Sequence, residues 1–265
     1  MPLKRLAQGC LVLSVPPEDT VVTVREGRIG WKPVIYEAEE YGLHEHTVEQ
    51  ELKTMCNRHL FDTPEPDVNS VEWGMFTKQT KRLARAIGRV EMTPIRKLLE
   101  GRSGRRRKRF YQGAKIYMER GTTKSDARVT QMQKLEFYEK SKIKVKEDRG
   151  IQFRSVQYNV ALARHLHAIE ERLIGSHYLG FHPVAKGLTP AQRAERLFAF
   201  AAEFDDPVFL SIDHARFDAH MHWRLIREEH KIYLYCRKYH PELADLLDSQ
   251  MKNVGRTKGG IKYKV

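Results

Sequence analysis

Three cysteines in 265 residues, Cys10, Cys56 and Cys236, are too few and too far apart for a disulfide framework or a zinc-binding pattern. That scarcity fits a reducing compartment. No apolar run approaches the roughly 20 residues that cross a bilayer, so no membrane-spanning helix is expected. Cys10–Val15 is apolar but short and runs into Pro16-Pro17, so it does not read as a secretory signal. Internal repeats and low-complexity tracts are missing as well, which sets repeat architectures aside. Acidic residues are in deficit: 34 against 47 lysines and arginines give a formal charge of +13. Such a balance favours a polyanionic partner.

The charge is unevenly spread. Residues 1–77 hold 7 basic and 13 acidic groups, residues 78–109 hold 13 and 2, and residues 110–265 hold 27 and 19. Pro64-Glu-Pro66 is the best boundary between the acidic start and the basic remainder. The length suits one large domain or two small ones.

Cys10–Val15, Thr20–Val24 and Trp31–Tyr36 are strand-like runs separated by Pro-Pro and Gly turns. Val48, Leu52, Met55 and His59 share one helical face, and that helix should end before Pro64. A second helix is expected over about residues 71–89, burying Phe76, Leu83 and Ile87. Asn159 is the expected cap of a helix with Leu162, Leu166, Ile169 and Leu173 on its apolar face. Thr189-Pro-Ala-Gln192 has the form of a capping box with proline at the first helical position, predicting a helix to about Phe204. Val208–Ile212 reads as a buried strand after Pro207, followed by a helix from about Asp218 to Tyr239 that Pro241 stops. The fold class is α+β, rich in helix.

Asp213 ends the Val208–Ile212 run, so its carboxylate should emerge at the end of a sheet, with Asp218 at the next helix start. A strand-end aspartate suits Mg²⁺, which takes few carboxylates plus waters and phosphates. On spacing alone a plain cap is the alternative. Arg102, Arg105, Arg106, Arg107, Lys108 and Arg109 form a cluster able to neutralise phosphates. Phe110 and Tyr111 follow at once, with flat faces for unpaired bases. A solvated charge run or an import signal would look the same. Lys142, Lys144 and Lys146 would line one side of a strand, a row suited to a triphosphate or to guarding a sheet edge. Arg154 adds a planar fork for phosphate. His44-x-His46, His165-x-His167 and His220-x-His222 each lack a third ligand nearby and read as structural or surface histidines.

Taken together, these segments resemble a known family. Asp213-x-x-Arg216-Phe217-Asp218-x-His220 is similar to motif A of the RNA-dependent RNA polymerases of tombusvirus-like plus-strand RNA viruses. Ile151-Gln-Phe-Arg154, followed by Tyr158-Asn159, resembles that family's motif F, where proline usually stands in place of Phe153. The Gly104–Tyr111 tract, Lys134-Leu-Glu136, Lys186-Gly-Leu and Gln192-Arg-Ala fall in the family's order. The resemblance covers about residues 90–265, with residues 1–77 matching loosely. His214-Ala215, Ala219 and Met221 depart from the usual residues without removing a charged group, as in a divergent member.

The resemblance implies a right-handed polymerase, with residues 1–66 fingertip-like, 67–206 as fingers and 207–265 as the start of the palm. It implies RNA-directed RNA synthesis with Mg²⁺, or Mn²⁺ in its place. RNA template, RNA product and nucleoside triphosphates would be its partners. Asp213 would hold the metal, Asp218 would position the group that reads the ribose 2′-hydroxyl, and Lys144, Lys146 and Arg154 would hold the triphosphate. The setting implied is the host cytoplasm, at membrane-associated replication sites reached through a membrane-anchored viral replication protein. The family's Gly-rich selecting motif and Gly-Asp-Asp hairpin do not follow. Lys258-Gly-Gly-Ile-Lys-Tyr-Lys looks like the approach to the first, and Phe204-Asp205-Asp206 lies too close to Asp213 to replace the second. The chain thus reads as the N-terminal part of a polymerase, inactive alone. A non-catalytic viral RNA-binding protein and a Mg²⁺-dependent nuclease using Asp213 and Asp218 stay open as other readings.

Overall fold

In the computed structural model, which describes residues 3–23, 30–31, 40–177 and 182–265, the chain is α+β. The first half holds β1 (Leu11–Ser14), β2 (Val21–Thr23), β3 (Gly30–Trp31), β4 (Glu40–Gly42) and β5 (His46–Thr47). It also holds α1 (Val48–Thr54), which widens into a π turn to His59, α2 (Val71–Ile87), α3 (Ile95–Glu100) and α4 (Gly104–Arg120). Then come β6 (Val129–Gln133), β7 (Tyr138–Glu139), α5 (Lys140–Ile143), β8 (Gly150–Phe153), α6 (Val156–Ile174) and α7 (Pro190–Ala201). A 3₁₀ turn (Phe217–His220), α8 (Trp223–Cys236), α9 (Pro241–Asp248), β9 (Val254–Thr257) and β10 (Lys262–Lys264) complete it. Residues 32–36 of the expected third strand lie outside the described residues.

The largest sheet has the order β1-β10-β9-β6-β8, antiparallel except for the β6–β9 pair. Along β6 the side chains of Val129, Gln131 and Gln133 are buried and those between them exposed, the period-two pattern of a strand with one covered face. Strands from residues 1–66, 67–206 and 207–265 all enter this sheet. The β9–β10 hairpin, which the sequence reading left unassigned, turns through Lys258-Gly259-Gly260, with Gly260 at φ +103. Its turn is gripped from α1. Gly259 N donates to both carboxylate oxygens of Glu51 at 3.0 Å, and Glu51, itself 1% exposed, lies 2.7 Å from His46 Nε2.

The helices build two further cores. In one, α4 crosses α6 so closely that a Cβ on Gly113 would lie 2.5 Å from Val156 Cγ1. In the other, Ala84, Ile87, Val90, Ile169, Ile232 and Cys236 pack together. Only Ala84 and Ile87 of α2 are buried, while Phe76 and Leu83 stay exposed, because just the last turns of α2 lie on α6 and α8.

Several boundaries differ from expectation for local reasons. Ser155 caps α6, accepting from Tyr158 N at 3.2 Å, and Asn159 instead donates to Arg154 O. The capping box at Thr189–Gln192 forms as expected, and α7 ends at Ala201. α8 begins later than expected, at Trp223, with His222 as its cap, and ends at Cys236 before Lys238 and Tyr239 turn left-handed. Pro241 therefore opens α9 rather than stopping α8. The Val208–Ile212 strand is not formed. That run pairs with no strand among the described residues and is exposed, Leu210 by 82%, since an extended segment needs a neighbour to satisfy its backbone and cover its side chains.

Candidate functional site

The loop that carries Asp213 and Asp218 is anchored at Arg216. This residue adopts a left-handed backbone, φ 55, uncommon for a side chain with a Cβ. Its guanidinium donates Nε and Nη2 to the two oxygens of Glu147 at 2.7 and 3.0 Å, a parallel two-bond pair. The Glu147 carboxylate is 4% exposed and stands just before β8. Its Oε1 also lies 3.6 Å from Arg58 Nε, and Arg58 Nη2 lies 3.8 Å from Asp218 Oδ1. Arg58 comes from the π turn after α1, so three distant stretches of sequence converge here. The Arg216 carbonyl closes the turn by accepting from Ala219 N at 2.9 Å, with His220 Nδ1 at the same distance.

Beside this loop opens a cleft of about 520 Å³. Arg58, Lys146, Arg149 and Arg216 bring cations to its wall against the carboxylates of Glu136 and Glu147, and Phe137 and Tyr138 add ring faces. Arg149 Nε donates to Glu136 at 2.7 Å, and that bond holds the Glu136 carboxyl down at about 2. Burial, with Asp148 and Glu136 nearby, pushes the Tyr138 phenol up. Lys146 is exposed and makes no ion pair among the described residues. A cleft with surplus positive charge and flat rings is suited to a nucleoside phosphate.

The expected row of lysines is not a strand. Residues 140–146 form α5 and a turn in which Lys146 N donates to Lys142 O, part of the connection that reverses the chain between the antiparallel strands β6 and β8. Lys142 pairs with Glu139 at 2.5 Å, and Lys144 is exposed. Arg154 does not line the cleft. Its guanidinium donates to Ala127 O and, at 2.6 Å, to Asn253 Oδ1, and burial lowers its affinity for its proton. Arg105–Arg109 are all exposed on the first turns of α4, and Arg102 stacks on Phe110 with 3.8 Å to the ring centre. Phe110 is thus part of the core, and of the two expected stacking rings only Tyr111 faces outward.

Asp213 is exposed and makes no ion pair among the described residues, which leaves its carboxylate available to a hard cation such as Mg²⁺. The cluster of three potential ligands among the described residues lies elsewhere, at His165, His240 and Glu242. There His165 Nε2 is 2.9 Å from Glu242, and Arg237 Nε donates to His165 Nδ1, so both ring nitrogens are engaged. This knot ties α6 to α9, as befits a structural histidine.

A family described as viral RNA dependent RNA polymerase matches residues 41–265. The chain belongs to this family. The match reaches well into the stretch that resembled the family only loosely. The chain is similar to the RNA-directed RNA polymerase of carnation mottle virus, 27% identical over 266 residues, covering 94% of this chain and 34% of the relative. It is also similar to that of tobacco necrosis virus strain D, 28% identical over 243 residues, covering 85% and 33%. The chain therefore spans about a third of the length of these curated relatives.

Within this polymerase family member, sequence reasoning passed over Arg58 and Glu147. Arg58 lies in the acidic region with no motif around it. Glu147 follows the lysine row, between Lys146 and Asp148, and an acid within a basic stretch that ends at Arg149 was the one available signal.

Proposed function

We propose that this chain is the nucleotide-receiving part of an RNA-directed RNA polymerase that replicates a viral genome. The observation that carries the reading is the clamp of the Asp213–Asp218 loop onto a cationic, ring-lined cleft. Residues 67–206 act as fingers, 207–265 as the start of the palm, and 1–66 as a fingertip-like layer. Lys146 and Arg149, with Lys144 at the rim, hold the triphosphate of the incoming nucleotide. Arg154 joins them only by exchanging its bonds to Ala127 and Asn253. Asp213 holds a divalent ion, Mg²⁺ or Mn²⁺, with further carboxylates from other parts of the polymerase. When bound, that ion lowers the pKa of the attacking 3′-hydroxyl and offsets charge on the leaving pyrophosphate. Asp218 positions the contact to the ribose 2′-hydroxyl. The exposed arginines of α4 follow the RNA backbone.

No helix among the described residues is long and apolar enough to cross a membrane. We assign membrane recruitment in the host cytoplasm to a membrane-anchored viral replication partner. In the full-length polymerase, Asp213→Asn should cut nucleotide addition by about a thousandfold, ~4 kcal/mol of transition-state stabilisation, while RNA binding is kept. Normal synthesis by that variant would overturn the assignment. A purely RNA-binding protein would bind RNA through α4 yet leaves the Arg216–Glu147 clamp without a purpose. The nuclease reading lacks a carboxylate cluster at Asp213 among the described residues.

A further inference from the structure

Glu147 and Asp148 stand between the last of a row of lysines, Lys146, and Arg149, and both are buried. A buried carboxylate is costly unless its charge is met. Asp148 is met by His44, at 2.7 Å. Glu147 is met by two guanidinium groups, those of Arg216 and Arg58. Among the described residues, the two bonds from Arg216 to Glu147 are the only hydrogen bonds joining residues 207–217 to anything before Pro207. Arg58 is divided between two carboxylates, 3.6 Å from Glu147 and 3.8 Å from Asp218, and its Nε and Nη1 have no hydrogen-bond partner.

We infer that Glu147 is a positioning residue for the loop of Asp213 and Asp218. Through Arg216 it sets how far that loop stands from the cleft, and through Arg58 it keeps Asp218 available. Without its charge, Arg216 is released and Arg58 can close fully on Asp218. Asp218 would then be drawn out of its part in reading the ribose. This inference rests on the polymerase reading for its chemical consequence but not for its geometry, and the test reads the two separately.

In the full-length polymerase, Glu147→Gln should lower kcat for ribonucleotides by about tenfold with a smaller change in KM. Its preference for ribo- over deoxyribonucleotides should fall by a similar factor, which a loss of folded enzyme would not do. Hydrogen exchange over residues 215–221 of the same protein should speed up by about tenfold, at the Ala219 amide above all. Unchanged exchange overturns the inference, whatever the activity. Faster exchange with an unchanged ribo-to-deoxy ratio also overturns it, leaving Glu147 a mere fastener. If the wild-type protein makes no RNA, the polymerase reading fails, while exchange still decides whether Glu147 holds the loop. Should Glu147→Gln fail to fold, Arg216→Lys, which keeps the positive charge but loses the two-bond fork, is judged by the same measurements.

Discussion

His59 shows how closely single residues are tuned around the candidate site. Burial is the main cause that brings its pKa down to about 4, with Asp218 pulling it up and Arg58 pushing it down. Its Nε2 is enclosed without a hydrogen-bond partner. In the unfolded chain the ring takes up a proton near its ordinary value of 6.5, whereas the folded protein keeps it neutral down to about 4. The unfolded state therefore binds more protons across that window, and stability should fall as pH drops through it. The loss is at most about 1.4 kcal/mol per pH unit from this group. Urea unfolding at pH 7 and pH 5 should show the decline, and His59→Gln should make it shallower. It should not vanish, because burial also lowers His222 and His230. Glu136 and Glu242, held at about 2, add their own loss only at lower pH. At this scale the sequence was legible where a motif is spelled by neighbours: the wording from Asp213 to His220 pointed to the family whose description matches residues 41–265. Arg58, Glu147 and the partners of Arg154 come from other parts of the chain, and no local spacing encodes them.

Among the elements, α4 is the least settled electrostatically. Its first turns carry Arg105–Arg109 at the end where the helix dipole is already positive, and Ser103 makes no side-chain cap. A polyanion lying there would relieve both. Replacing Arg105, Arg106 and Arg107 by alanine should weaken single-stranded RNA binding. It should also make the slope of log affinity against log salt shallower by about 2, from roughly 0.7 per lost phosphate contact. An unchanged slope would mean RNA lies elsewhere. The same helix depends on Gly113, where Val156 leaves no room for a methyl group. Gly113→Ala should destabilise the fold by about 1–3 kcal/mol, seen as a lower unfolding midpoint. Elements with local instructions were readable, and the Thr189–Gln192 capping box is the clearest case. Val208–Ile212 looked like a strand because its residues favour one, but strand formation is decided by a partner, and none is at hand among the described residues.

Across the whole molecule, the acidic N-terminal region and the end of the chain are stitched together. Glu51 holds the β9–β10 turn by its Gly259 amide, and β1 pairs with β10. Glu51→Ala would leave His46 Nε2 and the partly buried Gly259 amide without their partner, costing about 2–4 kcal/mol in denaturant unfolding. Loss of order should begin at residues 254–264. The pairing of Leu11 with Lys264 also has a consequence in time. A ribosome adding roughly 5–20 residues per second needs on the order of 13–50 s between making the two. β1 must wait that long with its edge unmatched, so the five-stranded sheet is completed only after synthesis has passed β10, and a chaperone has that interval in which to hold the nascent N-terminal strand.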